Sequence, residues 1–157
     1  MSWPRVLKQG AVAGLIGFAT VALLLAIVNV IGGHSPVSTA SALGAALHGV
    51  SDPAMAPIAI GYIVTYTAVH LAVFISLGVF AAALATLADR GWQLWFVSLF
   101  FFLFVSFHLY AAVQTLGAPM RSVLPDVLVW VVGVAASLMM ALYLLRVHPR
   151  LRAAQQW

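Results

Sequence analysis

The chain contains no cysteine. It therefore has no thiolate metal site, no iron–sulfur ligation and no disulfide. Glutamate is missing too, and acid is confined to Asp52, Asp89 and Asp126. Seven Lys and Arg residues stand against these, so charged residues make up only 6% of a 157-residue chain. A soluble domain carries about 25%, and a surface this poor in charge aggregates in water. A soluble globular fold is excluded, as are a disordered chain and a coiled coil. Several chemical motifs are also lacking: no phosphate-cradling glycine loop, no H-E-x-x-H and no paired carboxylates. The net charge of +4 rests on basic residues too dispersed to track a phosphate backbone, so nucleic acid is not an expected partner. No internal repeat points to an inverted-repeat transporter, and no ring of charge points to a channel.

What is abundant is apolar surface, at 64% of residues. A helical membrane span needs about 20 mostly apolar residues. Four runs qualify, over residues 11–31, 58–87, 92–116 and 123–145. They are continuously apolar, without the alternation of a membrane barrel. The expected fold is an all-α integral membrane protein of one domain, its four transmembrane helices forming an up-down bundle in a lipid bilayer. The first run follows Arg5 and Lys8 as a signal peptide would, yet it is longer than the 7–15 apolar residues typical of such peptides. It therefore reads as a retained anchor.

Basic residues set the orientation. With four spans, Arg5, Lys8, Arg90, Arg146, Arg150 and Arg152 share one side, and only Arg121 lies on the other. The positive-inside rule then places both termini, including the basic tail 146–157, in the cytoplasm. Tyr62, Tyr110 and Trp130 fall toward the outer helix ends, and Trp3, Trp92, Trp95 and Tyr143 toward the inner ones, as paired aromatic belts. The expected location is a bacterial inner membrane. The external connection 32–57 contains an uncharged, Ala-rich stretch. Ser35 and Pro36 suit the N-cap and first turn of a short interfacial helix there, and Gly49 suits its C′ position.

Two intramembrane histidines are the main candidates for chemistry. His70 and His108 lie nineteen residues to either side of Asp89. In an antiparallel hairpin both stand roughly 25–28 Å from the turn and share one depth. An ionisable residue inside a membrane is a functional candidate by default. Three readings compete. The pair could hold haem b or a metal through imidazole nitrogen, or line a quinone or proton site with Tyr66 and Thr67 one turn away. The favoured reading is an interhelical polar lock. Packed helix axes stand only about 8–10 Å apart, which leaves no room for a porphyrin, and the run Phe100 to Phe102, Phe104 and Phe107 crowds the approach to His108.

Asp126 lies about one turn into the fourth run, beside Pro125 and near Arg121. A carboxylate at a helix N-terminus is favoured by the dipole, so a cap or a surface pair with Arg121 is the expected role. The alternative is an outer polar cluster with His108, Tyr110 and Gln114, joined by Asn29. His34 and His48 lack a clear third ligand and read as solvated loop residues. His148 sits within the basic tail, whose cations attract anionic lipid headgroups. Small residues stripe two helices, Gly10-Gly14-Gly17 in the first and Gly133-Ser137-Ala141 in the fourth. Such stripes serve close packing, within the bundle or against another subunit.

With so little mass outside the lipid, the expected function, by analogy of size and fold, is a non-catalytic accessory subunit of a larger bacterial inner-membrane complex, an energy-transducing one being a candidate. Its partners would be other integral membrane subunits, and no cofactor is expected. The alternative is a small redox protein binding haem b or quinone near His70 and His108.

Overall fold

The computed structural model describes residues 2–89, 96 and 123–149. Among these, four helices and no strands form: α1 (Trp3–Ile31), α2 (Ser38–Leu47), α3 (Ile60–Ala88) and α4 (Asp126–Val147). Three of them, α1, α3 and α4, are long and apolar enough to cross a membrane. The remaining apolar run, 92–116, lies outside the described residues apart from Phe96, which is helical.

Helix α1 begins well before its apolar run, at Trp3. Pro4 occupies the first turn, where its missing N–H is not needed and its fixed φ suits a helix. At about 1.5 Å per residue, its 29 residues are longer than the roughly 30 Å needed to cross bilayer hydrocarbon. The helix stops at Gly32–Gly33. Gly33 has φ +75°, its N–H bonds to Val30 O at 3.0 Å, and the N–H of His34 bonds to Asn29 O at 2.8 Å. These are the two bonds of a Schellman cap, which needs a residue tolerant of positive φ.

Helix α2 ends the same way. Gly49 has φ +77° and bonds to Ala46 O at 3.0 Å, while Val50 N–H reaches Ala45 O at 3.1 Å. Gly49 therefore holds the C′ position expected of it. The start differs from expectation. Ser35 and Pro36 lie in the preceding turn, and the N-cap is Val37. The reason is a competing acceptor role: Pro36 O takes a hydrogen bond from Asn29 Nδ2 at 3.2 Å, and the helical ladder begins one residue later with Ser41 N–H to Val37 O.

Helix α1 is central. It packs along α3 on one side and α4 on another, while α3 and α4 barely meet. Gly10 lies against Val79 and Gly14 against Phe74 and Ile75, so α1 and α3 run antiparallel. The two backbones touch. A Cβ on Gly10 would strike Val79 Cα, one on Gly14 would strike Phe74 O, and one on Gly78 would strike Gly10 O. Glycine alone permits that approach, and it is compensated by dispersion contacts along both helices. The first small-residue stripe is thus occupied inside the molecule. Larger side chains complete the core: Val21, Leu25, Phe74, Met140 and Leu144 pack with Ala82 and Ala136.

Candidate functional site

His70 projects from α3 into an aromatic enclosure. Tyr66, one turn earlier, stacks on its ring at 4.9 Å with the planes 29° apart. Phe74, one turn later, meets it at 4.8 Å and 49°. Phe18 of α1 closes the third side at 5.6 Å and 55°. The spacing of four residues along α3 puts the first two rings above and below the imidazole. Its Nε2 is buried, and among the described residues it has no hydrogen-bond partner. A buried polar atom left unpaired costs about 1–3 kcal/mol, which marks this atom as a place where a partner belongs. Thr67 is half-buried and adjacent in sequence to Tyr66. His108 and Arg121 lie outside the described residues, as do Tyr110 and Gln114, so the pairing of His70 with His108 and the outer cluster around Asp126 fall there too.

Asp126 is the first residue of α4 rather than a turn inside it, with Pro125 in the N-cap position, and it is exposed. The helix begins late because Pro125 carries an extended ψ of 139°. Its carboxylate lies at the positive end of the helix dipole.

Near the C-terminal end of α1, Asn29 is buried. Its Oδ1 accepts from Thr39 Oγ1 at 2.8 Å while its Nδ2 donates to Pro36 O, so α1 holds the start of α2 through one amide. Ser41 Oγ accepts from Ala59 N–H at 3.1 Å, joining α2 to the start of α3. Gly44 lies directly on the backbone of Tyr62. His48 is exposed; its Nδ1 is 2.8 Å from Gly44 O and its ring is tilted against Tyr62 at 5.2 Å. His34 is exposed as expected.

The opposite end holds a pair that sequence reasoning missed. His148 Nδ1 stands 2.9 Å from Asp89 Oδ2, and His148 is only 4% exposed. Each residue caps the C-terminus of its helix, Asp89 that of α3 and His148 that of α4. When protonated, the imidazole would complement the carboxylate and the two negative dipole ends. The legible signal was charge: in the expected four-span topology, Asp89 is the one acid on the side that carries six of the seven Lys and Arg.

Among the described residues no group of three or more metal-ligating side chains comes together. Comparison with protein-family models, curated proteins and solved structures gives no match to this chain.

Proposed function

We propose that the protein is a non-catalytic accessory subunit of a larger complex, possessing four membrane-crossing helices in an up-down bundle. In this reading α2 lies at the outer interface, both termini are cytoplasmic, and the complex belongs to a bacterial inner membrane and is energy-transducing. The observation that carries the reading is how the polar side chains are used. Asn29, Thr39 and Ser41 tie α2 to its neighbours, and Asp89 and His148 tie α3 to α4. Each fastens one element to another. The outer faces present Leu15, Leu23, Val64, Val73, Leu138 and Leu142 to the surroundings, surfaces suited to lipid and to apolar neighbours.

A second reading has one observation in its favour, the unpartnered Nε2 of His70 within its aromatic enclosure. There the protein is a small redox carrier holding haem b or quinone at His70 and His108. Purification in mild detergent with an absorption spectrum and a native mass separates the two. The first reading expects defined membrane polypeptides in constant stoichiometry and no Soret band. A lone chain with a Soret band, or with a bound quinone lost in His70→Ala, would replace it by the second.

A further inference from the structure

Helix α2 is uncharged and is not laid out like a helix resting on a membrane surface. Thr39, Ser41, Leu43, Gly44 and Ala45 are all buried, with Ser41 2% and Ala45 0% exposed. At about 100° per residue these five positions spread round the helix, and no gap between neighbouring ones exceeds about 120°. A surface helix instead buries one stripe and leaves the opposite face open. In α2 only Leu47, in the last turn, is exposed. Pro53, in the connection that follows, is fully buried as well.

The contacts of α2 fall on one part of α3. Gly44 lies on the backbone of Tyr62, where a Cβ would strike the Tyr62 carbonyl, and the His48 ring rests against the Tyr62 ring. Tyr62 is the first of four ring residues spaced four apart on α3, and Tyr66, His70 and Phe74 continue the same stripe. Just over two helical turns, about 12 Å, separate Tyr62 from His70. Beyond Tyr62 the stripe is packed, with Tyr66 stacked on His70 and Phe18 and Phe74 closing on it. Hydrogen bonds fasten α2 on both sides. Thr39 donates to Asn29 of α1, and Ser41 accepts from Ala59 just ahead of α3.

We infer that α2 is a fixed plug, set between the end of α1 and the start of α3, which shuts His70 off from the aqueous phase on its side of the membrane. The inference rests on the reading of α1 and α3 as membrane spans. Backbone contact at Gly44 leaves no layer for water between α2 and α3 at that point. The ties to Asn29 and Ala59 hold the plug in place. Hydrated ions and charged solutes on that side are therefore stopped at α2, about 12 Å short of the imidazole.

The chain has no cysteine, so single cysteines report access in purified protein reconstituted into lipid nanodiscs. The probe is a negatively charged methanethiosulfonate. Met55→Cys, at a position 81% exposed in the connection after α2, should react fast. His70→Cys should react about 100-fold more slowly, since labelling there needs the enclosure to open. Adding Gly44→Leu, which does not fit against the Tyr62 backbone, should raise the rate at His70→Cys about 10-fold. Ala85→Cys, in the core toward the far end of α3, should keep its slow rate. Where Gly44→Leu lowers helical content, Thr39→Val combined with Ser41→Val removes both ties and serves in its place. A rate at His70→Cys equal to that at Met55→Cys would overturn the inference. So would a rate at His70→Cys that neither change to α2 raises. Equal acceleration at His70→Cys and Ala85→Cys would overturn it too, because that outcome is general loosening. Failure of the protein to enter nanodiscs would instead remove the membrane-spanning reading beneath it.

Discussion

Thr39 Oγ1 donates to Asn29 Oδ1 at 2.8 Å, with both residues buried where α1 ends and α2 begins. The same Asn29 is the residue whose backbone carbonyl closes the Schellman cap of α1. One side chain and one carbonyl thus stop a helix, turn the chain and dock the next element.

That coupling makes Asn29 a stability determinant. Asn29→Leu leaves the Thr39 hydroxyl and the Pro36 carbonyl without their partner, and should cost about 1–3 kcal/mol. Thr39→Val should cost less, since Asn29 keeps its bond to Pro36. The double variant should fall short of the sum, because the two side chains share one bond. Thermal or denaturant unfolding in a fixed detergent measures all three. Additive losses would show that the bond contributes nothing.

The glycines of α1 and α3 should divide sharply. Gly14→Ala places a methyl group against the Phe74 carbonyl and Ile75 Cα, backbone atoms that cannot swing aside. Overpacking of this kind costs about 1–3 kcal/mol. Gly61, near the start of α3, has nothing within 4 Å of the position a Cβ would take. Gly61→Ala should stabilise by up to about 1 kcal/mol through helix propensity. Opposite signs for one chemical change, read from melting curves, check the close approach of α1 to α3.

The polar-lock reading of His70 yields a thermodynamic cycle. Phe in place of His70 preserves ring contacts with Phe18, Tyr66 and Phe74 and removes the unpaired nitrogen. If the imidazole bonds His108, as the proposed lock requires, His70→Phe and His108→Phe each destabilise by about 1–2 kcal/mol. Their combination then costs little more than one alone. A stabilised His70→Phe protein would refute the lock.

The long helices were legible because an apolar run of twenty or more residues has few alternatives once charge is excluded. Gly49 was legible for a similar reason, since a Schellman cap demands a residue that accepts φ +77°. The start of α2 was not, because it depends on Asn29 reaching a carbonyl seven residues away. His148 was hidden by its neighbours: among Arg146, Arg150 and Arg152 it reads as one more cation of a tail. Only three-dimensional placement beside Asp89 shows that it is buried. The aromatic enclosure of His70 was half visible, since Tyr66 and Phe74 follow helical spacing while Phe18 comes from another helix.

The proposed orientation is open to labelling in intact cells. Met55 is 81% exposed in the connection between α2 and α3, and Ser2 is exposed at the start of α1. With no native cysteine, Met55→Cys should react with an impermeant thiol reagent, and Ser2→Cys should react only after the membrane is opened. The reverse pattern would invert the topology and place the cation-rich side outside, against the usual basic-residue bias.

The accessory-subunit reading bears most directly on α4. Its core-facing line is Val132, Ala136, Met140 and Leu144. The stripe Gly133-Ser137-Ala141 lies one residue further on, about 100° round the helix. Gly133 and Ser137 are half-buried and Ala141 is exposed, so the stripe flanks the contact with α1 rather than forming it. Membrane helices associate through close packing, and a smooth strip beside a filled seam is suited to a neighbouring helix. Replacing Gly133 and Ser137 together by Leu should therefore release the protein from its complex while its helical content and melting temperature stay near those of the parent. Ala136→Leu is the contrast. Ala136 is 2% exposed within the core, and three extra carbons there should lower the melting temperature outright. Assembly that survives the double Leu substitution would mean that this face meets lipid, and the proposed subunit contact would have to lie elsewhere.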